Sequence, residues 1–198
     1  MTMHMAGHGA GTSVSGKERL LTAASDLLQQ LDLAKMKIAT AESCTGGFLT
    51  SLLTDIEGLR HCVDRGYIVY TEEAKHAMLG ICCQQIERHG AVSDPVARAM
   101  AQNALQLSNA DLALAITGFA GPSGSQAGGQ PGAGTTFIGA AIAGQSWVYR
   151  VNYGRRPRRE VRNLATLAAL VIAQRTLAMH TGVSPTARQP ARCLLPLS

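Results

Sequence analysis

The sequence predicts an α/β fold: a three-layer α/β/α sandwich around a mixed, mostly parallel sheet. Three observations predict it. Short apolar strand-like runs alternate with longer segments whose apolar residues recur at helical spacing. The composition is rich in Ala and Gly while only 4% of residues are aromatic, which suits helices lying close on a sheet. The last two strand-like runs are separated by Gly144-Gln145, as in an antiparallel hairpin.

"KERLLTAASDLLQQLDLAKM" opens the body with Leu20, Leu21, Ala24, Leu27, Leu28 and Leu31 on one helical face. "KIATAE" (37–42) reads as a short strand, followed by a helix from about Thr45 to Leu53, and "GYIVYT" (66–71) as the next strand. Ser93-Asp94-Pro95 starts a further helix, since Ser or Asp can accept from free amides and Pro is tolerated in the first turn. That helix ends near Asn109. "DLALAIT" (111–117) is a strand, and residues 118–134 carry seven glycines, as a ligand-wrapping or mobile loop would. "TTFIGAAIAG" and "SWVYRVNY" form the hairpin, and Val161, Leu164, Leu167, Ala168 and Val171 mark a last helix from about Arg158 to His180. Residues 1–16 and 182–198 lack periodicity and read as tails, the first disordered, around a single domain at 17–181.

A chain of 198 residues, 46% hydrophobic and 16% charged, can bury one sizeable core. There is no long apolar run and no basic, apolar leader, so a cytoplasmic protein without membrane contact is expected. The five cysteines show no CxxC spacing, and the six histidines are scattered, with His4 and His8 in the Gly-rich N-terminal tail. Neither a disulfide framework nor a bound metal is expected. Much of the net charge of +5 comes from Arg150, Arg155, Arg156, Arg158, Arg159 and Arg162. Such a cluster can hold a phosphate or form a solvated turn; without aromatics or a recognised binding motif, nucleic acid is not the expected partner.

In open α/β sheets, ligands bind beyond the carboxyl ends of the strands. Glu42 to Gly47, Tyr70 to Lys75 and Thr117 to Gly124 fall there together. Ser43 and Cys44 sit where a strand meets a helix start, whose free amides favour an anion or a developing oxyanion. The same residues would also serve as a plain cap, with Ser43 or Thr45 accepting from amides and Gly46 and Gly47 as packing devices. Ser43 is preferred over Cys44 as a nucleophile. A serine needs a base, no histidine lies in the other two loops, and a partly buried Lys75 can supply one, with Tyr70 to relay or orient the proton. Spacing alone favours Lys75 as a solvated helix residue and Tyr70 as a strand aromatic.

"ATAESCTGG", "YTEEAK", "HGAVSDPVARAMAQNAL" and "AITGFAGPSG", in this order, resemble the C-terminal domain of the CinA competence/damage-inducible family, which includes stand-alone nicotinamide-nucleotide amidases. The resemblance covers about residues 17–180. It implies deamidation of nicotinamide mononucleotide to nicotinic acid mononucleotide and ammonia, without metal or other cofactor, by a Ser–Lys amidase. By motif, the nucleophile falls on Ser43 and the catalytic Lys and Tyr on Lys75 and Tyr70. The amides near Cys44, Thr45 and Gly46 would hold the oxyanion; Gly47, Thr117, Gly118 and Gly121 would line the substrate; Arg158 and Arg162 would hold the phosphate. The resemblance also implies a homo-oligomer and the family's stand-alone form. The alternative is a nucleotide-binding regulator without turnover, linked to competence or DNA damage.

The chain departs from the family pattern at Glu72, where Asn is usual, and at Phe119 and Ser123, where a smaller aliphatic residue and Asp are usual. The "YGRRPRREVR" segment is longer than the usual Gly-Asp-Arg turn. Glu72 matters most, because a carboxylate beside Lys75 favours its ammonium form, which cannot act as a base.

Overall fold

The computed structural model describes residues 15–121 and 132–182. The first helix, α1 (Gly16–Ala34), is fixed at its start by a reciprocal pair. The Ser15 hydroxyl accepts from the Glu18 amide at 3.2 Å, and the Glu18 carboxylate accepts from the Ser15 amide at 2.7 Å. There follow β1 (Ile38–Glu42), α2 (Phe48–Thr54), a 3-10 turn (Arg60–Cys62), β2 (Val63–Ile68), α3 (Glu72–Leu79), α4 (Cys83–His89) and α5 (Asp94–Gln106). The chain closes with β3 (Leu112–Gly118), β4 (Thr135–Ile142), β5 (Gln145–Asn152) and α6 (Arg158–Thr181).

The strands form one sheet in the order β2-β1-β3-β4-β5. β1 pairs parallel with β2 and β3, while β4 is antiparallel to both β3 and β5, so four strands share one direction and β4 alone opposes them. This is the expected mixed α/β sheet with helices on both faces. At the β4–β5 hairpin, Ala143 (φ 48°) and Gly144 (φ 77°) are both left-handed, as a tight two-residue turn requires. The turn thus sits one residue earlier than the sequence suggests.

The two faces differ in side-chain size, and β3 shows why. Leu112, Leu114 and Ile116 point to a core shared with α1, α2 and α6, whereas Ala113 and Ala115 point to a second core against α5. Period-two alternation in a strand buried on both faces therefore reads as large against small. The small face lets α5 lie very close: a Cβ on Gly139 of β4 would stand 2.5 Å from the Ala97 carbonyl oxygen. Gly139→Ala is therefore expected to force α5 outward and to lower the thermal midpoint, by an amount typical of overpacking, about 1–3 kcal/mol.

Besides α5, which ends at Gln106 rather than near Asn109, two element boundaries and one whole element depart from expectation. β2 runs over 63–68 rather than 66–71, because it is an edge strand carrying Asp64 and Arg65, with none of its residues fully buried. Thr71 instead caps α3, its hydroxyl accepting from the Ala74 amide at 3.1 Å. α2 starts at Phe48, not Thr45, because Gly46 and Gly47 take positive φ and hold the chain out of the helix. α4, which carries a single buried residue, Ile86, was not visible as a periodic pattern. Among the described residues, no helix is long and apolar enough to cross a membrane. The tails, apart from Ser15, Gly16 and Gly182, lie outside the described residues, as does the glycine-rich loop from 122 to 131 with Ser123.

Candidate active site

β1 ends at Glu42, opposite Ile68 of β2 and Ile116 of β3, so the chain leaves the sheet there with parallel strands on either side. The Ser43 amide still donates to the Ile116 carbonyl at 2.9 Å, which ties the first residue of the loop to the central strand. A tight turn follows, closed by the Gly46 amide on the Ser43 carbonyl at 3.1 Å. Gly47, at φ +87°, offers no side chain to cap α2.

Glu42 takes over that task. Its fully buried carboxylate accepts from the Leu49 amide at 3.0 Å, the Thr50 amide at 2.8 Å and the Thr50 hydroxyl at 2.7 Å. The first turn of a helix presents unpaired amides and a positive dipole end, so a carboxylate there is well satisfied. Glu42 and α2 thus grip the Ser43–Gly47 turn from both sides. Glu42→Ala leaves one buried and one partly buried amide and a hydroxyl without their acceptor and is expected to cost about 2–4 kcal/mol, read as a shift in the urea midpoint.

Lys75, in α3, is only 1% exposed although its neighbours Glu72, Glu73 and His76 face solvent. Its Nζ lies 3.3 Å from Ser43 Oγ, 3.0 Å from the Val69 carbonyl and 3.4 Å from the Tyr70 carbonyl. An ammonium can donate to all three. A neutral amine can donate to the two carbonyls and turn its lone pair to the Ser43 hydroxyl proton, which is the arrangement a base needs. Burial holds the Lys75 pKa below its usual value, against the smaller upward pulls of Glu72 and Cys44. The carboxylate at 72 is therefore outweighed by desolvation. Glu72→Gln removes one of the upward pulls, so the rising limb of any Lys75-dependent pH–rate profile should move to lower pH; an unmoved or raised limb would show that Glu72 does not act on Lys75.

A cavity of about 340 Å³ opens over this pair. Ser43, Cys44 and Lys75 belong to its lining, together with Ala91 and Val92, the Gly118–Gly121 stretch, Tyr70 and Arg158. Thr117 stays behind the surface: its hydroxyl donates to the Ala91 carbonyl at 3.0 Å, joining the end of β3 to the segment before α5. Gly118 is required by close packing, since a Cβ there would meet the Thr135 carbonyl oxygen at 2.7 Å. Cys44 is buried, and desolvation pushes its thiol up to about 11, so it stays protonated at neutral pH. The hydroxyl beside the buried amine is that of Ser43.

Two residues differ from their expected placement. The Tyr70 side chain is 61% exposed, and its phenol lies 3.4 Å from Arg158 Nη2; its backbone carbonyl, not its hydroxyl, reaches Lys75. Arg162 directs Nε at 3.1 Å, and Nη2 as well, to the Thr45 carbonyl, and its guanidinium stands 6.0 Å from the centre of the Phe48 ring. It braces the Ser43 turn and does not line the cavity, where among the described residues Arg158 supplies the guanidinium. Gly46 also has a different job: its amide closes the turn, whereas among the described residues no carbonyl accepts from the Cys44 or Thr45 amide. The residues not anticipated are Glu42 in its capping role and the Val69 carbonyl; the glycine at the α2 cap position was the signal that another group must satisfy those amides.

The model of the CinA C-terminal domain family matches residues 20–177. A CinA-like protein of Mycolicibacterium vanbaalenii is 44% identical over 147 residues, which make up 73% of this chain and 34% of that protein. The crystal structure of competence/damage inducible protein CihA from Agrobacterium tumefaciens superposes with a TM-score of 0.76 at 34% identity, covering 80% of this chain and 95% of that one. A competence-damaged protein (CinA) superfamily protein from Escherichia coli gives 0.71 at 32% identity over 85% and 91% of the two chains. The chain spans about a third of the length of the curated relative it matches. It belongs to the CinA C-terminal domain family.

Proposed function

We propose that this member of the CinA family is an amidohydrolase that converts nicotinamide mononucleotide to nicotinic acid mononucleotide and ammonia. The observation that carries the proposal is the buried Lys75 amine 3.3 Å from the Ser43 hydroxyl, at a cavity that also holds a guanidinium. The nucleotide itself is suggested by the family resemblance; what supports it here is a ligand space with an amide-cleaving pair and a cation for a phosphate.

Neutral Lys75 removes the Ser43 proton as Oγ attacks the carboxamide carbon. The amides of Cys44 and Thr45, free of other carbonyl partners, receive the oxyanion. Lys75, now an ammonium, passes its proton to the departing nitrogen, which leaves as ammonia and frees an acyl ester on Ser43. The same amine then takes a proton from the water that attacks the ester and returns it to Ser43 Oγ as the acid departs, restoring the hydroxyl and the neutral amine. Val92, Phe119 and Ala120 offer an apolar wall for the pyridine ring, and Arg158 pairs with the 5′-phosphate.

Incubation with nicotinamide mononucleotide and with its dephosphorylated riboside tests both parts of this proposal. Ammonia and the acid product should form from the nucleotide, and far less efficiently from the riboside. Arg158→Ala should raise KM for the nucleotide about tenfold or more while leaving the riboside reaction unchanged, since a charged hydrogen-bonded pair contributes about 1.5–3 kcal/mol. Binding of the nucleotide with no ammonia released would contradict hydrolysis and favour a regulator that binds without turnover.

A further inference from the structure

We propose that Asp32, His61 and Cys62 form a binding site for a divalent cation of the zinc class, at the end of the sheet opposite Ser43. Asp32 lies in the last turn of α1, and His61 and Cys62 lie in the 3-10 turn that leads into β2. β2 begins at Val63, paired with Ile38 at the start of β1, whereas Ser43 follows the other end of β1. The amino ends of these strands and the catalytic loops at their carboxyl ends are thus separate places on the molecule.

One carboxylate oxygen, one imidazole nitrogen and one sulfur here lie within 4.8 Å of one another. Asp32 Oδ1 and His61 Nε2 are already 3.0 Å apart. A tetrahedral ion with bonds of about 2.0–2.3 Å has ligand-to-ligand edges of roughly 3.3–3.6 Å, so closing the set takes about an ångström of movement. Two of the three side chains are free to make it: His61 is 59% and Asp32 37% exposed, while Cys62 is anchored in the core. The ion would take the place of the Asp32–His61 hydrogen bond, with the neutral imidazole keeping its proton on Nδ1, and the Cys62 proton would go to solvent. Lys35, which reaches Asp32 at 3.4 Å, is 82% exposed and can turn away into water.

The donor set selects the metal. A thiolate with an imidazole favours zinc-class ions over magnesium or calcium, which prefer all-oxygen shells. Three protein ligands leave one position open, and His61 borders a cavity of about 570 Å³ shared with Thr54, Ile56, Glu57, Gly58 and Arg60, from which water can complete the shell. Bound there, the ion would fasten the end of α1 to the turn before β2. Ligands 29 residues apart in the chain carry no spacing signature, which is why the sequence suggested no metal.

The test uses the full chain carrying His4→Ala and His8→Ala, so that the tail imidazoles cannot contribute, stripped of metal and titrated with Co²⁺. A thiolate-to-cobalt charge-transfer band should appear and be abolished by Zn²⁺, and Zn²⁺ should raise the thermal midpoint. Cys62→Ser should lose the band, and His61→Ala, at an exposed position that does not threaten folding, should weaken binding about tenfold or more. A parent protein with neither band nor midpoint shift, a band that survives in Cys62→Ser, or a band that forms in His61→Ala with undiminished affinity would overturn the site. These readouts are independent of amide hydrolysis.

Discussion

Ser43→Ala is expected to reduce ammonia release from nicotinamide mononucleotide by about 10⁴-fold or more, with nucleotide affinity nearly unchanged. The asymmetry follows from the geometry. Ser43 is nearly buried, and its amide, not its side chain, ties the loop to β3, so removing the hydroxyl leaves the turn, Arg162 and the Glu42 clamp in place. What is lost is the hydroxyl placed 3.3 Å from the Lys75 amine. The adjacent thiol does not substitute for it, since Cys44 stays protonated with its pKa pushed up to about 11 by burial. Equilibrium binding of the nucleotide to the variant, alongside the rate, separates this outcome from a collapsed site.

The second large effect is at Lys75. Lys75→Ala should lower the rate about 10³-fold, the middle of the range for a general base, and Lys75→Arg should not restore it, because a guanidinium does not lose its proton. In the wild type, kcat/KM should rise with pH as the amine deprotonates and level off below the ordinary lysine value of 10.5, because burial lowers the folded-state pKa. The sign for stability is the same. Between the lowered pKa and 10.5 the unfolded chain binds the proton that the native state lacks, so native stability rises with pH through that window and falls as pH drops through the folded pKa. Lys75→Met, with no charge to desolvate, should lack that slope while being inactive. A wild-type activity still climbing beyond pH 10.5 would mean the amine is not held in the depressed state.

Where local pattern and burial agree, the sequence was legible. β3 shows its alternation of large and small residues directly, and Ser93-Asp94-Pro95 does begin α5, although the Ser93 hydroxyl donates back to the Gly90 carbonyl at 2.8 Å instead of capping the helix. β2 and α4 were hard to place because an edge strand and a short surface helix bury too little to impose a period. At the site, Ser43 was suggested by its position after a strand. Its partner Lys75 was only one candidate, with a solvated helix residue the favoured reading, since residues 32 apart meet only through the β1–β2 pairing and the turn of α3. The four-motif resemblance singled out Lys75, and the structure adds its burial and its two carbonyl partners. Arg162 shows the converse. Its charge suggested a phosphate ligand, but two of its nitrogens converge on a backbone carbonyl that no sequence pattern reveals.

The central claim is that Ser43 and Lys75 act as one nucleophile and base. Ammonia release by the wild type, Ser43→Ala, Lys75→Ala and the double variant tests it most directly. If the two residues work as a unit, the double variant falls no further than Ser43→Ala alone, because a base without its nucleophile has nothing left to contribute. Losses that multiply, or a Ser43→Ala protein that retains substantial turnover, would contradict it.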